Sequence, residues 1–528
     1  MEDPLQLKYL GDIGSLSIPG GQPRKTSPKL QTHLIDCLYT MKKPSSALHT
    51  ILLPSTAGEQ HVSPQDSDAA TRQALIDTLH CNMLKCSPPE TWGAGDIYQT
   101  CSPHPVLITP AHKRQLQCLS EALSTAIVDI VNRWWTDAEA RFPERMPIEP
   151  FEEDLLRWME SQPDSAIRPF ETCTGSCRPD MLLEPAVDGG IENYRICEIN
   201  ARFCMNGFLV TAYGQQALLD MGVGRNGLKG VTDPETVKNG LNSLYNPSLP
   251  LHFCKGEEPG YDIHLYRHYA KSLGIQVRLI DPADLRLLES PTSPGGYKLY
   301  CLAQENAAGT VTNDVGETLE EIHQIGLELH QRELARMTPQ MLQQLSLRCF
   351  NDMRTILLVH DKRLLGIIIQ ELDNLVARNV LTPEQAIILQ RGIVPTILPG
   401  SSQLSHFIAE CRKSSLKDAY ILKPVRSGKG AGILFGDQLD RDDWLSKLEA
   451  MRDPHLQRGK TTYVIQRRIE HSLYEVLLRE SEGVQRYPLI GTFLMVHGKL
   501  LGLGLWRSGP GRICALSLGG GWICSVEE

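Results

Sequence analysis

Apolar residues recur at helical spacing from Leu116 to Arg141, where Leu119, Leu123, Ile127, Ile130 and Trp134 would line one core-facing side of a helix. YDIHLYRHYAKSLG predicts a helix stopped at Gly274, and IQVRLID after it a strand, so the segment from 251 reads as a small α/β unit. LTPEQAIIL carries a helix start, with Thr382 as cap, Pro383 in first position and Glu384 in the first turn. It lies in a stretch, 316–392, that reads as mostly helical. Residues 176–210 predict two strands, and beyond 418 strands and glycine-rich loops dominate. The first 115 or so residues alternate helical stretches with Pro/Ser/Gly-rich loops such as LSIPGGQPRKTSPKL. They carry no legible chemistry, and no internal repeat is present.

At roughly 100–200 residues per domain, a chain of 528 residues suggests about three units. Hydrophobic residues make up 41% and charged residues 22%, the balance of a globular protein. A net charge of −9 gives no support for a nucleic-acid surface. No run approaches the roughly 18 apolar residues of a membrane span. The acidic start, MEDPLQLKYLGDIG, does not resemble a secretory signal, so the expected location is cytoplasmic. The 15 cysteines include no C-x-x-C pair, which argues against a zinc site of the usual spacing and for reduced thiols.

Two motifs carry chemistry. In DAYILKPVRSGKGAGILFGD, an apolar run ends in Lys423, a loop Ser427-Gly428-Lys429-Gly430-Ala431-Gly432 follows, and a second apolar run resumes at Ile433. Glycines let backbone N–H groups approach phosphate oxygens, and a lysine at the strand end supplies a point charge. A Walker A loop has another spacing and leads into a helix. A kinase flap would need H-R-D and D-F-G elements, which are absent. A nucleotide-covering flap of another kind and a plain hairpin turn both stay open.

The second motif is YRICEINARFCMNGF. On a strand, Glu198 and Asn200 share a face with Cα atoms about 6–7 Å apart, and two such oxygen donors suit Mg²⁺. Cys197 and Ile199 would then face the core. Upstream, in RPDMLLEP, Arg178 and Asp180 also share a face. With VDGGIENY as a turn, one hairpin surface would gather Arg178, Asp180, Glu198 and Asn200, followed by Arg202. A solvated charged strand face is the plainer alternative.

These segments, Lys423 with its glycine loop, and the C-terminal LIGTFLMVHGKLLGLGLWRSGPGRICALSLGGGW occur in the order of the eukaryotic-type glutathione synthetases, which they resemble. The resemblance implies an α/β (α+β) ATP-grasp fold in circularly permuted order. The E-x-N strand precedes the flap, and a small α/β substrate domain is inserted. It implies an N-terminal helical and loop region at 1–150 and a first part of the ATP-grasp domain with the metal-binding hairpin at 151–250. The substrate domain would span 251–315, and a helical segment with the flap-bearing part 316–528. It implies ATP and Mg²⁺ as cofactors. Lys362, Lys423, Ser427, Gly428, Lys429, Gly430, Gly432, Ile465 and Gln466 would meet the nucleotide, and Asp180, Glu198 and Asn200 the metal. Arg178, Arg202 and Arg507 would hold the acid substrate or the developing phosphate charge.

The implied reaction is amide formation between a small carboxylic acid and an amine through an acyl phosphate. Departures lie at Ser427, where the family has an acidic ligand, at Ser508-Gly509 after Arg507, and in the closing loop Gly519-Gly520-Gly521-Trp522. They argue against glutathione as product. The rival expectation is an inactive nucleotide-binding scaffold, favoured by Ser427. Nothing in the sequence sets the oligomeric state, and a homodimer stays open.

Overall fold

The computed structural model describes residues 48–528 except 59, 94–95, 187–189, 226, 306 and 458. LSIPGGQPRKTSPKL and part of the VDGGIENY turn lie outside them. Strand β1 (Cys101–Leu107) leads into helix α1 (Pro110–Asn132), whose start is fixed by Thr109 accepting from the His112 N–H and by Pro110 in first position. The helix thus begins and ends earlier than its apolar stripe suggests. Trp134 lies just beyond it, fully buried all the same. Strands β2 (Ser176–Glu184) and β3 (Asn193–Asn200) form the expected antiparallel hairpin and are followed by α2 (Phe208–Asp220).

Strand β4 (Leu251–Lys255), helix α3 (Tyr261–Ser272) and strand β5 (Val277–Ile280) make a parallel unit, with Gly274 at positive φ just past the helix. Further strands follow, among them β6 (Leu285–Glu289), β7 (Tyr297–Leu302), β8 (Thr318–Glu321) and β9 (Ile325–Glu328). The segment 316–392, expected to be mostly helical, therefore opens with two strands. Strand β9 completes the parallel sheet β9–β4–β5, so that sheet draws on residues past 315. The helical character of the segment begins after it and includes α4 (Arg363–Ala377) and α5 (Pro383–Gly392).

Next come β10 (Thr396–Ile397), α6 (Ser402–Cys411), β11 (Tyr420–Pro424), β12 (Leu434–Phe435), α7 (Arg441–Ala450) and β13 (Tyr463–Arg467). The chain closes with β14 (Ile490–Val496), β15 (Lys499–Ser508) and β16 (Gly521–Glu527). The large sheet runs His49–Thr50, β1, β16, β15, β14, β2, β3, joining early and late parts of the chain, and a smaller sheet runs β10–β13–β11–β12. Residues 101–132, placed by sequence in the N-terminal region, thus supply an inner strand and a covering helix of the large sheet.

Period-two alternation in the large sheet sends Phe493 and Met495 into one core with α1, and Leu494 and Val496 into another with α2. Trp522 joins the second core, fully buried, its indole N–H donating to Ile97 O at 2.9 Å. Gly521-Trp522 therefore belongs to a strand, not to a closing loop. Only Gly519 keeps a left-handed turn conformation, at φ 84°. The smaller sheet packs Tyr420, Leu422 and Ile465 against α6 and α7. By alternation its other face, with Lys423 and Gln466, turns to the large sheet.

Candidate active site

The cleft lies between the two sheets, where the hairpin β2–β3 meets β11 and β13. In β3 the ladder slips: Asp180 pairs with Glu198 while Met181 pairs with Ile196, leaving Cys197 as an extra residue. Such a bulge re-aims side chains. Tyr194 and Ile196 point into the main core before it and Ile199 after it. Cys197, expected in that core, instead joins Val394 and Ile469 in a separate small apolar cluster with Leu182 against it. The Cys197 carbonyl accepts from Lys423 Nζ at 3.5 Å and from Gln466 Nε2 at 3.2 Å, tying the two sheets together.

Glu198 is the electrostatic centre of the cleft. Lys362 Nζ lies 3.1 Å from its Oε2 and also donates to Ser427 O at 2.7 Å. Burial works against the Glu198 charge, but Lys362, Lys423 and Arg507 overcome it and hold the carboxyl well below its ordinary range. Burial likewise opposes the charge on Lys423, yet Cys197, Glu198 and Asp180 raise its pKa. Lys423 is almost wholly buried, with that one long bond to Cys197 O. Asn200 Nδ2 and Gln466 Oε1 are buried without hydrogen-bond partners. These unmet groups leave the cleft polar and incomplete.

Asp180, opposite Glu198, is held by Arg507 and by Arg178 Nε at 3.2 Å. Arg178 also donates to Asn206 Oδ1 at 3.0 Å. Arg202 lies apart from that pair. It is buried, bonded to His330 Nδ1 at 3.0 Å, to His360 Nε2 at 2.8 Å and to the Arg426 carbonyl, and its Nε is unpartnered. Burial lowers its pKa to about 10. Burial, with Arg202 and Lys362 beside it, pushes the His360 pKa well below its ordinary value. Ile465 is a correction: its side chain is fully buried against α6 and α7, and its backbone is paired on both sides, to Ile397 and Leu422. It does not reach the cleft.

The glycine loop covers one side. Ser427, Gly428 and Lys429 are exposed, and Lys429, at φ 56°, reaches Glu258 at 2.7 Å. Gly432 has φ 76° and Gly430 φ 74°, and a Cβ on Gly430 would stand 2.3 Å from Ile513 Cγ2. Gly430→Val is therefore expected to displace the loop and cut turnover at least about tenfold with an unchanged melting temperature, since the strain sits in an exposed loop. Full activity in the variant would reduce the loop to an ordinary turn.

Several groups escaped the sequence reading. Arg426 forms a two-pronged bond with Glu152, at 2.9 and 2.7 Å, and also meets Asp361, which pairs with Arg363. This buried network anchors the loop root and the backbone before Lys362, and its members are far apart in sequence. Glu328 ends β9, its Oε1 accepting from Met205 N at 2.8 Å. Burial, set against the bonds from Met205 and Cys204, raises its carboxyl to about 8. A carboxyl raised on folding contributes stability that is full below the unfolded pKa and lost as pH rises through the folded value. Wild type should thus lose about 1–2 kcal/mol relative to Glu328→Gln between about pH 5 and pH 8, after allowance for relaxation around a buried charge. Parallel melting-temperature profiles for the two proteins would refute this.

Two sheets, with Lys423 and Lys362 on the side of the smaller one, a glycine loop beside them and an E-x-N strand of the larger one facing them, define the ATP-grasp fold, here in permuted order. A glutathione synthetase-like effector from Globodera pallida, in its apo form, superposes with a TM-score of 0.51 at 13% identity, over 88% of this chain and 99% of that one. The description "AnkG N-terminal domain" matches residues 119–358. The ATP-grasp enzyme ankG of Aspergillus thermomutatus is 37% identical over 485 residues, 89% of this chain and 97% of its own. The chain belongs to the ATP-grasp family of that enzyme. Among the described residues no helix is long and apolar enough to cross a membrane, and the described cysteines are free thiols.

Proposed function

We propose that the chain is an ATP- and Mg²⁺-dependent, ADP-forming ligase that joins a small carboxylic acid to an amine, with a product other than glutathione. The observation that carries this reading is the convergence of Lys362 and Lys423 on Glu198 beneath the glycine loop. Two buried cations around one carboxylate suit a triphosphate chelated to a divalent cation. Glu198 and the Asn200 carboxamide would hold the metal, with Asp180 beside them once Arg507 turns elsewhere. All three are the oxygen donors Mg²⁺ requires. The apolar cluster of Cys197, Val394 and Ile469 lies beside Gln466, whose unmet Oε1 would serve as an acceptor for a base carrying an amino group.

In this reading bound ATP supplies the phosphoryl group that activates the acid. Lys423 and Lys362 neutralise phosphate charge, and the 427–432 loop excludes water that would hydrolyse the activated acid. Arg507 and Arg178 lie near the carboxylates of the cleft and Arg202 at the root of the glycine loop, where guanidinium groups can take a carboxylate through paired bonds. Ser427 contributes a backbone carbonyl to Lys362 and leaves its exposed hydroxyl free of any role as a charged ligand. A screen of amino acids and small carboxylic acids for ADP release tests the proposal. ATP binding with no acid-dependent ADP release would favour an inactive scaffold.

A further inference from the structure

Away from the cleft, the small unit around β4–β9 contains a second buried cluster. His252, on β4, is fully buried, and its ring nitrogens make no well-aligned hydrogen bond, with only the backbone of Pro250 and Gln324 close by. A buried imidazole whose nitrogens lack well-formed bonds is destabilising unless something satisfies it better. Cys301 on β7 and Glu320 on β8 are direct partners in the antiparallel ladder, so their side chains stand together on one face. One ligand atom from each of the three residues falls within 4.8 Å of the other two. His252 Nε2 and Glu320 Oε1 are 3.9 Å apart, too far to hydrogen-bond. The other carboxylate oxygen, Oε2, is fixed by Arg278 Nε at 3.0 Å.

We propose that His252, Cys301 and Glu320 form a binding site for a zinc-class divalent cation that staples the parallel sheet to the antiparallel one. The donor set decides the class. Mg²⁺ and Ca²⁺ take oxygen ligands, whereas imidazole nitrogen, thiolate sulfur and one carboxylate oxygen suit a borderline-soft ion. Bonds of about 2.0–2.3 Å place donor atoms about 3.3–3.8 Å apart around a tetrahedral ion, so closing the site takes about an ångström of side-chain motion. Binding releases the Cys301 thiol proton to solvent, and the thiolate and the carboxylate together balance the two charges of the ion. Arg278 acts from outside, orienting the carboxylate through its other oxygen. A water completes the fourth position. Positions 252, 301 and 320 have no short spacing, which is why the sequence offers no metal motif here.

The full chain, stripped with a chelator, is titrated with Co²⁺ and then Zn²⁺. One equivalent of Co²⁺ should produce a near-ultraviolet thiolate-to-cobalt absorption band, which Zn²⁺ abolishes. Cys301→Ser should lack the band, and His252→Gln should weaken Co²⁺ binding at least tenfold. In parallel, Zn²⁺ but not Mg²⁺ should raise the melting temperature of the unmodified chain, a readout that needs no variant to fold. No band in the unmodified chain, a band that survives in Cys301→Ser, or a melting temperature indifferent to Zn²⁺ each overturns the site.

Discussion

Glu198→Gln is expected to cut ADP release by on the order of 10²–10³-fold, the loss typical of removing one preorganised electrostatic group from an active site. The substitution keeps shape and removes charge. Glu198 is the carboxylate that Lys362 contacts directly and that Lys423 and Arg507 also stabilise. Without it the cleft keeps its cations and loses the carboxylate proposed to hold the metal. The same reasoning predicts that nucleotide alone, without Mg²⁺, binds the variant at least as well as it binds wild type. That split separates a metal-site defect from misfolding, which would weaken both. Turnover within tenfold of wild type would remove Glu198 from the metal site. Asp180→Asn makes the comparison: its carboxylate already satisfies Arg507 and Arg178, so a shifted Mg²⁺ requirement would place it in the metal shell. An unchanged Mg²⁺ curve would leave it the partner of those two arginines.

Lys423→Ala should weaken ATP binding by about 2–4 kcal/mol, the range for removing one member of a buried charge pair. Lys423 is a buried ammonium with three donors and one long bond, to Cys197 O at 3.5 Å. Phosphate oxygens would complete its shell. Lys362 starts from a different place, already bonded to Glu198 and Ser427 O, so Lys362→Ala should cost less nucleotide affinity than Lys423→Ala. Calorimetric titration of both variants measures the difference. Equal affinities for Lys423→Ala and wild type would sink the assignment of this lysine to phosphate.

Local pattern was enough to read several parts of this protein. The helical stripe through Leu119, Leu123, Ile127 and Ile130 does face a core, and Thr382-Pro383 does start a helix. The run into Lys423 and the run after Gly432 do pair as strands, Leu422 opposite Leu434. These features depend on periodicity and on the conformational preferences of a few residues, which neighbours in sequence settle among themselves. The Arg178/Asp180 and Glu198/Asn200 pairs were legible for the same reason, since strand parity alone puts each pair on one face.

What only the tertiary structure decided concerns partners and exact aim. The extra residue Cys197 in β3 reverses parity within a strand, so a uniform alternation misplaced its side chain while still placing Glu198 and Asn200 together. Ile465 carries the right sequence context for a nucleotide contact, but its parity turns it toward α6 and α7. Asp180 met Arg507 from a strand hundreds of residues away, and Arg426 met Glu152 in the same manner. Trp522 left a supposed loop for the core because Gly521 pairs with Ser508. The physical reason is common to all five. A side chain's periodicity reports that one face is buried, but ion pairs and sheet neighbours are chosen by the packing of distant segments, and that choice leaves no mark on local sequence.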